Sequence, residues 1–148
     1  MRISAKGRYA LAAVMEIARS ASKNENISTV SIANRLEISK IYLEQVFAQL
    51  KKGSVLVSEK GSRGGYQLAR PPKNITVWDV LTVVENALTD PAGGSVEKSA
   101  PEIAAAMRTL VFDVLDKSIR DAMTRVNVQD MLDFAEAQRG EQAFMYYL

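Results

Sequence analysis

Two side chains that carry much of enzymatic chemistry are missing from this sequence: it has no cysteine and no histidine. Without thiolates or imidazoles there is no disulfide, no zinc site of the usual kinds, no thiol nucleophile and no imidazole general base. No Ser–Lys pair or carboxylate cluster stands out in their place, so an enzyme is not expected. What remains are cations, hydroxyls and amides, and they fall into three groups. Arg2, Ser4, Lys6, Arg8 and Tyr9 place three cations, a hydroxyl and a phenol at a helix start. Lys40, Ile41, Tyr42 and Gln45 lie near the start of another helix. Lys60, Gly61 and Arg63 belong to a glycine-rich turn. Such groups suit phosphate oxygens and base edges, where cations and backbone N–H groups hold the backbone and amides read the bases. Cations at a helix start oppose its dipole, so the first group invites an outside anion.

Net charge is only +2, but its distribution is uneven. Residues 1–75 carry 13 Lys/Arg against 5 Asp/Glu, whereas residues 76–148 carry 6 against 12. A basic front and an acidic back imply that the front meets a polyanion. The chain is 47% hydrophobic and 24% charged, as expected of a folded globular protein rather than a disordered one. Its 148 residues allow one domain, or one compact domain with an appendage. No run approaches the ~20 apolar residues of a membrane span, and the opening lacks the basic-then-apolar pattern of a secretion signal. A cytoplasmic protein without a membrane partner is therefore expected.

The elements that position these groups follow from periodicity. Leu11, Val14, Met15 and Ala18 form one face of a helix from about Lys6 to Ser22. A short helix with Ile32, Ala33 and Leu36 inward follows, and after a three-residue break Ser39 caps a third helix that Gly53 ends. Leu43, Val46, Phe47 and Leu50 are its buried stripe, which turns Ile41, Tyr42, Gln45, Ala48, Gln49 and Lys52 outward. Val55–Val57 and Tyr66–Ala69 read as two strands around the turn Gly61-Ser62-Arg63-Gly64-Gly65. Thr76 and Asp79 then start a fourth helix with Val77, Val80, Leu81 and Val84 inward. Asp90–Ser95 is a linker. Ser99 and Glu102, with Pro101, predict a capping box for a long helix reaching about Thr124. Its apolar residues Ile103, Met107, Leu110, Val111, Val114 and Leu115 form a stripe too wide for one small domain to cover. Asn127 starts a last, short helix that Gly140 is expected to end, leaving the apolar tail Phe144-Met145-Tyr146-Tyr147-Leu148. The expected fold class is mostly α, α+β: a winged helix-turn-helix over 1–86, a linker or sensor loop over 87–100, and a dimerisation helix, short helix and tail over 101–148.

Three stretches in order resemble the Rrf2 family of bacterial winged-helix transcription regulators. They are Met1-Arg2-Ile3-Ser4-Ala5-Lys6-Gly7-Arg8-Tyr9-Ala10-Leu11, Ser39 to Gln45 around Tyr42-Leu43-Glu44-Gln45, and Lys60-Gly61…Gly64-Gly65-Tyr66-Gln67-Leu68 followed by Ala69-Arg70-Pro71-Pro72 and Ile75-Thr76. The resemblance implies a homodimeric repressor that binds an inverted repeat in double-stranded DNA. Ser39, Tyr42, Glu44 and Gln45 are then recognition-helix contacts, Lys60, Gly61 and Arg63 the wing, and the N-terminal residues phosphate contacts. Family wings commonly hold arginine where Lys60 stands, and lysine is a point charge rather than a fork.

Iron–sulfur members of the family carry three cysteines in the region equivalent to about 92–107, and this chain has none. Ala100 and Ala106 have the spacing of two of those ligands. Either no cofactor is bound, or a cluster belongs only to a version whose cysteines have been replaced here. The tail must pack against the dimer interface, against the groove beside the long helix or, like the end of the family's cysteine-metabolism regulators, against a partner such as cysteine synthase. The alternative class is an interaction adaptor that keeps the winged scaffold without reading DNA.

Overall fold

The computed structural model describes residues 3–23, 25–88 and 94–147. Arg2, most of the Asp90–Ser95 linker and Leu148 therefore lie outside the described residues.

Ser4 opens α1 (Ala5–Ala21), its Oγ accepting from the Gly7 N–H at 3.0 Å. One face of α1 is small and apolar, and Ala10, Ala13, Val14 and Ile17 are fully buried. Ser28 caps α2 (Thr29–Leu36) in the same way, through the Ser31 N–H. The helix stops because Glu37 takes a left-handed conformation, φ 55°, and the Ile38 N–H closes back on the Ala33 carbonyl at 3.0 Å. Ser39 then caps α3 (Lys40–Lys52), so the tight break and the two helices it joins lie where the sequence puts them. Leu43, Val46, Phe47 and Leu50 are all fully buried, and the period-3.6 stripe is the core face of α3.

The wing is an antiparallel pair, β1 (Leu56–Glu59) and β2 (Gly65–Leu68), in register from Leu56 opposite Leu68 to Glu59 opposite Gly65. The strands are thus shifted by one or two residues from the predicted spans. Val55 turns into the core and Ala69 pairs with its carbonyl just outside the ladder. Ile27, from the α1–α2 connection, adds a bridge to Tyr66, whose N–H donates to its carbonyl at 3.0 Å. Gly65 permits this, since a Cβ there would strike the Ile27 carbonyl. Arg70 braces the base of the wing: it donates to the Ser54 and Asn74 carbonyls at 2.8 and 2.9 Å and pairs with Asp79 at 3.2 Å. Thr76 and Asp79 form the predicted capping box, which starts α4 (Val77–Val84).

Past α4 the helices α5 (Ser95–Ser99), α6 (Pro101–Met107) and α7 (Asp113–Thr124) lie mostly exposed, α6 and α7 joined by a π-turn over Arg108–Phe112. The capping box predicted at Ser99 and Glu102 does not form. Ser99 is instead the last residue of α5, its Oγ donating to the Ser95 carbonyl, and Ala100 takes the cap position with no side-chain bond. The box sits one turn earlier in another form, with the Gly94 N–H on the Glu97 carboxylate. Asn127 and Asp130 do box the start of α8 (Val128–Tyr146). This helix is not short, however, and Gly140 does not end it. Only Gly61 and Gly65 among the described glycines have positive φ, so Gly140 stays helical and α8 absorbs the tail as far as Tyr146. The groove beside the long helix does not receive that tail either, since Phe144, Met145, Tyr146 and Tyr147 are all exposed, Tyr147 at 92%.

The C-terminal helices meet the winged part where α7 packs on α4 and α8 packs on α1. The Val77 N–H donates to Val126 and the Val128 N–H to Ile75, at 2.9 and 2.8 Å, and Arg120 lies 4.8 Å above the Trp78 ring. Val128 is fully buried in the same core as α1 and α3.

Candidate nucleic-acid interface

The outward face of α3 is built by subtraction. Once four residues of the stripe are buried, the backbone geometry leaves Ile41, Gln45 and Ala48 exposed on the other side, Ile41 at 70%. An apolar side chain so exposed beside an amide is a poor choice for a solvated surface and a good one for a groove with thymine methyls and purine edges. Lys40 and Glu44 pair across one turn at 3.5 Å, both exposed, a contact of little energetic weight in water. Tyr42 is half-buried and meets Tyr9 of α1 edge to face, ring centroids 5.6 Å apart. That contact joins the N-terminal group to the α3 group. Gln49 is also half-buried, and among the described residues its Oε1 has no hydrogen-bond partner. Lys51 donates to Ser58 Oγ of β1 at 2.7 Å, which turns it toward the wing and leaves Lys52 exposed.

At the wing tip Lys60 and Arg63 are exposed, and among the described residues neither forms an ion pair. Gly61, at φ 107°, makes the turn that an L-residue would resist, and its carbonyl accepts from Gly64 at 2.9 Å. The tip is held from outside the hairpin. Asn26 Nδ2 donates to Glu59 Oε2 at 2.7 Å and to the Arg63 carbonyl at 2.8 Å, while its Oδ1 accepts from Gln67 Nε2. Asn26 gave no sequence signal, because it lies in a polar connection where one asparagine looks like any other.

Of the N-terminal group, Arg8 and Tyr9 are exposed and Lys6 is half-buried. The sequence invites an outside anion at this helix start, and the structure already brings a carboxylate there from within the chain. Ser4 donates its N–H and its hydroxyl to Glu85 Oε1, at 2.8 and 2.6 Å. Glu85 lies 81 residues away, and no local pattern could have found it. A buried charge also escaped the pattern: Glu16, at 8% exposure, is held by Arg19 Nη2 at 2.6 Å and Arg35 Nε at 2.8 Å, and so fastens α1 to α2.

Ile103, Met107, Leu110, Val111, Val114 and Leu115 are all exposed, Leu110 most, at 74%. Among the described residues, no three acidic side chains gather as a metal site would need, and no helix is long and apolar enough to cross a membrane. The Asp121 carboxyl of α7 is held below its ordinary range by a hydrogen bond from Lys117.

The family model for Rrf2, described as an iron-dependent transcriptional regulator, matches residues 3–133. The chain is 30% identical to the regulator CymR of Bacillus subtilis over the full length of both. It is 39% identical to the regulator IscR of Cereibacter sphaeroides over 99 residues, 64% of each chain. Among solved structures, T. potens IscR superposes with a TM-score of 0.73 at 34% identity, covering 99% of this chain and 97% of that one. CymR of B. subtilis, the global cysteine regulator of that organism, superposes at 0.72 and 27% identity, covering 90% and 98%.

Proposed function

The chain belongs to the Rrf2 family of DNA-binding transcriptional regulators and is not an enzyme, and from that premise we propose that it acts as a homodimeric repressor reading an inverted repeat in double-stranded DNA. In this reading α3 enters the major groove, with Gln45 against an adenine edge and Ile41 against a thymine methyl. Tyr42, Glu44 and Ser39 flank them. Lys40, Lys60 and Arg63 lie along the phosphates on either side, and Lys6, Arg8 and Tyr9 reach the backbone at the start of α1. Repression follows from occupancy, because a dimer seated on a promoter excludes other proteins from it.

The observation that carries the reading is the two-faced α3, with four residues fully buried and an apolar and an amide side chain displayed opposite. The dimer is supported by the exposed apolar stripe from Ile103 to Leu115, since a monomer would leave it in water. Selection of binding sites from random duplex DNA is the test. The expected product is an inverted repeat whose half-sites lie about one or two helical turns apart, with affinity falling steeply as salt rises. Absence of salt-sensitive retention on DNA would leave the adaptor class standing instead.

The donor set does not fit an iron–sulfur cluster. The region that holds cluster ligands in iron–sulfur members offers only Glu97 and Glu102 here. Glu97 is already engaged by Arg108 and the Gly94 N–H. In this reading the protein binds DNA without a cluster, since a cluster would need cysteines that this sequence lacks. It should stay colourless after anaerobic incubation with iron and sulfide; visible absorbance would contradict this.

A second reading concerns a protein partner, and the exposed tail favours it. Four consecutive large apolar residues, Phe144–Tyr147, remain in water on a single chain. Together with the full-length likeness to CymR, this supports a partner of the cysteine synthase kind docking there. Deleting residues 144–148 should abolish binding of added cysteine synthase and leave the dimer intact. No binding by the full-length chain would end this reading.

A further inference from the structure

We propose that Glu85 is a positioning residue for the N-terminal end of the DNA face, and that through it the segment leaving α4 sets how Lys6, Arg8 and Tyr9 are presented. The proposal rests on the DNA-binding reading for its consequence and on the geometry of α1 for its cause.

The first N–H groups of a helix have no partner within it, and the positive end of the dipole favours a nearby anion. The first turn of α1 contains no acidic residue. Ser4 satisfies one donor, the Gly7 N–H, and has a single hydroxyl proton to give away. That proton and the Ser4 N–H both go to Glu85 Oε1. The carboxylate thus fixes the rotamer in which Ser4 can cap the helix at all. Gly7 admits it, since a Cβ there would strike the same oxygen and Ile3. Glu85 is the residue at which α4 stops, its N–H on the Leu81 carbonyl, and its own carbonyl accepts from Leu88 in the next short turn. The start of α1 is therefore seated by the point where the winged part hands over to the C-terminal helices. Lys6, Arg8 and Tyr9 all lie within the turn and a half after Ser4, and Tyr9 touches Tyr42 on α3. A change in the connection that withdrew Glu85 would loosen the helix start and shift these three side chains together.

Two substitutions separate positioning from mere charge. Glu85→Gln keeps an oxygen acceptor for Ser4, whereas Glu85→Ala leaves both Ser4 donors bare. Hydrogen exchange at the Gly7 and Arg8 amides should quicken roughly tenfold or more in Glu85→Ala, the effect of losing a hydrogen bond to a charged group, with amides in α3 unchanged. Glu85→Gln should stay close to the parent. On the selected DNA site, Glu85→Ala should bind more weakly with a salt dependence shallower by about one to two phosphates, and Glu85→Gln should keep the parental slope. Unchanged exchange in Glu85→Ala overturns the proposal. So does quickened exchange with parental affinity and slope, since Glu85 would then only cap a helix. Tighter DNA binding by both variants overturns it as well, because the carboxylate would be repelling phosphate rather than placing cations. Absence of salt-dependent binding by the parent protein would mark a failure of the DNA-binding reading itself, which the exchange data report separately.

Discussion

The front and the back of this molecule solve the same problem in opposite ways. Among the described residues, every buried leucine, isoleucine and phenylalanine lies in the winged part. Beyond residue 94, only Met123 and Val128 are buried among the described residues, while Leu110, Val114, Phe134 and Phe144 face water. The front holds the core, which takes in Val128 from the back, and displays cations and amides. The back displays apolar surface and carries the excess of acid. A region that buries its apolar residues is free to meet a polyanion, and a region that does not must meet another apolar surface. The comparison predicts that polar substitution at the back breaks assembly, while truncation at the front breaks recognition.

The largest effect is expected from Leu110→Asp combined with Val114→Asp. Both side chains are exposed on one chain, so the fold should survive with an unchanged far-UV spectrum. A charge in a dimer interface is another matter. The chain should sediment as a monomer at micromolar concentration, and affinity for the inverted repeat should drop by about 10²-fold or more as the second half-site contact is lost. A dimer that persists would place the interface elsewhere and remove the contrast between front and back.

At the front, Gln45→Ala should cost ~1–3 kcal/mol on the selected site and relax the preference at one base position. Equal loss on every sequence would move Gln45 from reading bases to holding backbone. Smaller changes are expected at the wing. Arg63→Ala or Lys60→Ala should make the salt dependence shallower by about one phosphate each. Asn26→Ala touches no DNA in this reading, yet it should reproduce the Arg63→Ala slope, because it frees the Arg63 carbonyl and Glu59 from the clamp that sets the tip. The Asn26 and Arg63 effects should not add when combined. Full additivity would mean that Asn26 does not act through Arg63.

How much of this was legible in the sequence divides along the same line. The α3 stripe, the break after Leu36 and the Thr76–Asp79 box are local patterns, and they stand where periodicity and capping put them. The winged fold followed from them. The contacts that seat the candidate site are between distant segments: Glu85 on Ser4, Asn26 on the wing, Glu16 between two arginines. Periodicity says which face a residue lies on and nothing about which polar group will arrive from 81 positions away. In the back, the local rules themselves misled. Ser99 and Glu102 have capping spacing, but Ser95–Ser99 had already formed its own turn of helix.

Gly140 is the other misleading signal, and it yields the smallest and most discriminating change. A glycine after a run of helical residues predicts a left-handed C-terminal cap, and alanine there would be strained and destabilising. In the structure Gly140 is an interior residue of α8 with helical backbone, and a Cβ built on it meets nothing within 4 Å. Glycine at an exposed helix interior is about 0.5–1 kcal/mol worse than alanine, because the unfolded chain has more freedom to lose. Gly140→Ala should therefore raise helicity and slow amide exchange over residues 136–146, with a gain of at most ~1 kcal/mol. The two accounts differ in sign, so a small effect suffices. Faster exchange or lower helicity in Gly140→Ala would restore the short helix and detach the apolar tail from α8. Slower exchange would leave Phe144–Tyr147 on the end of a rigid helix, projected into solvent from the acidic half of the molecule.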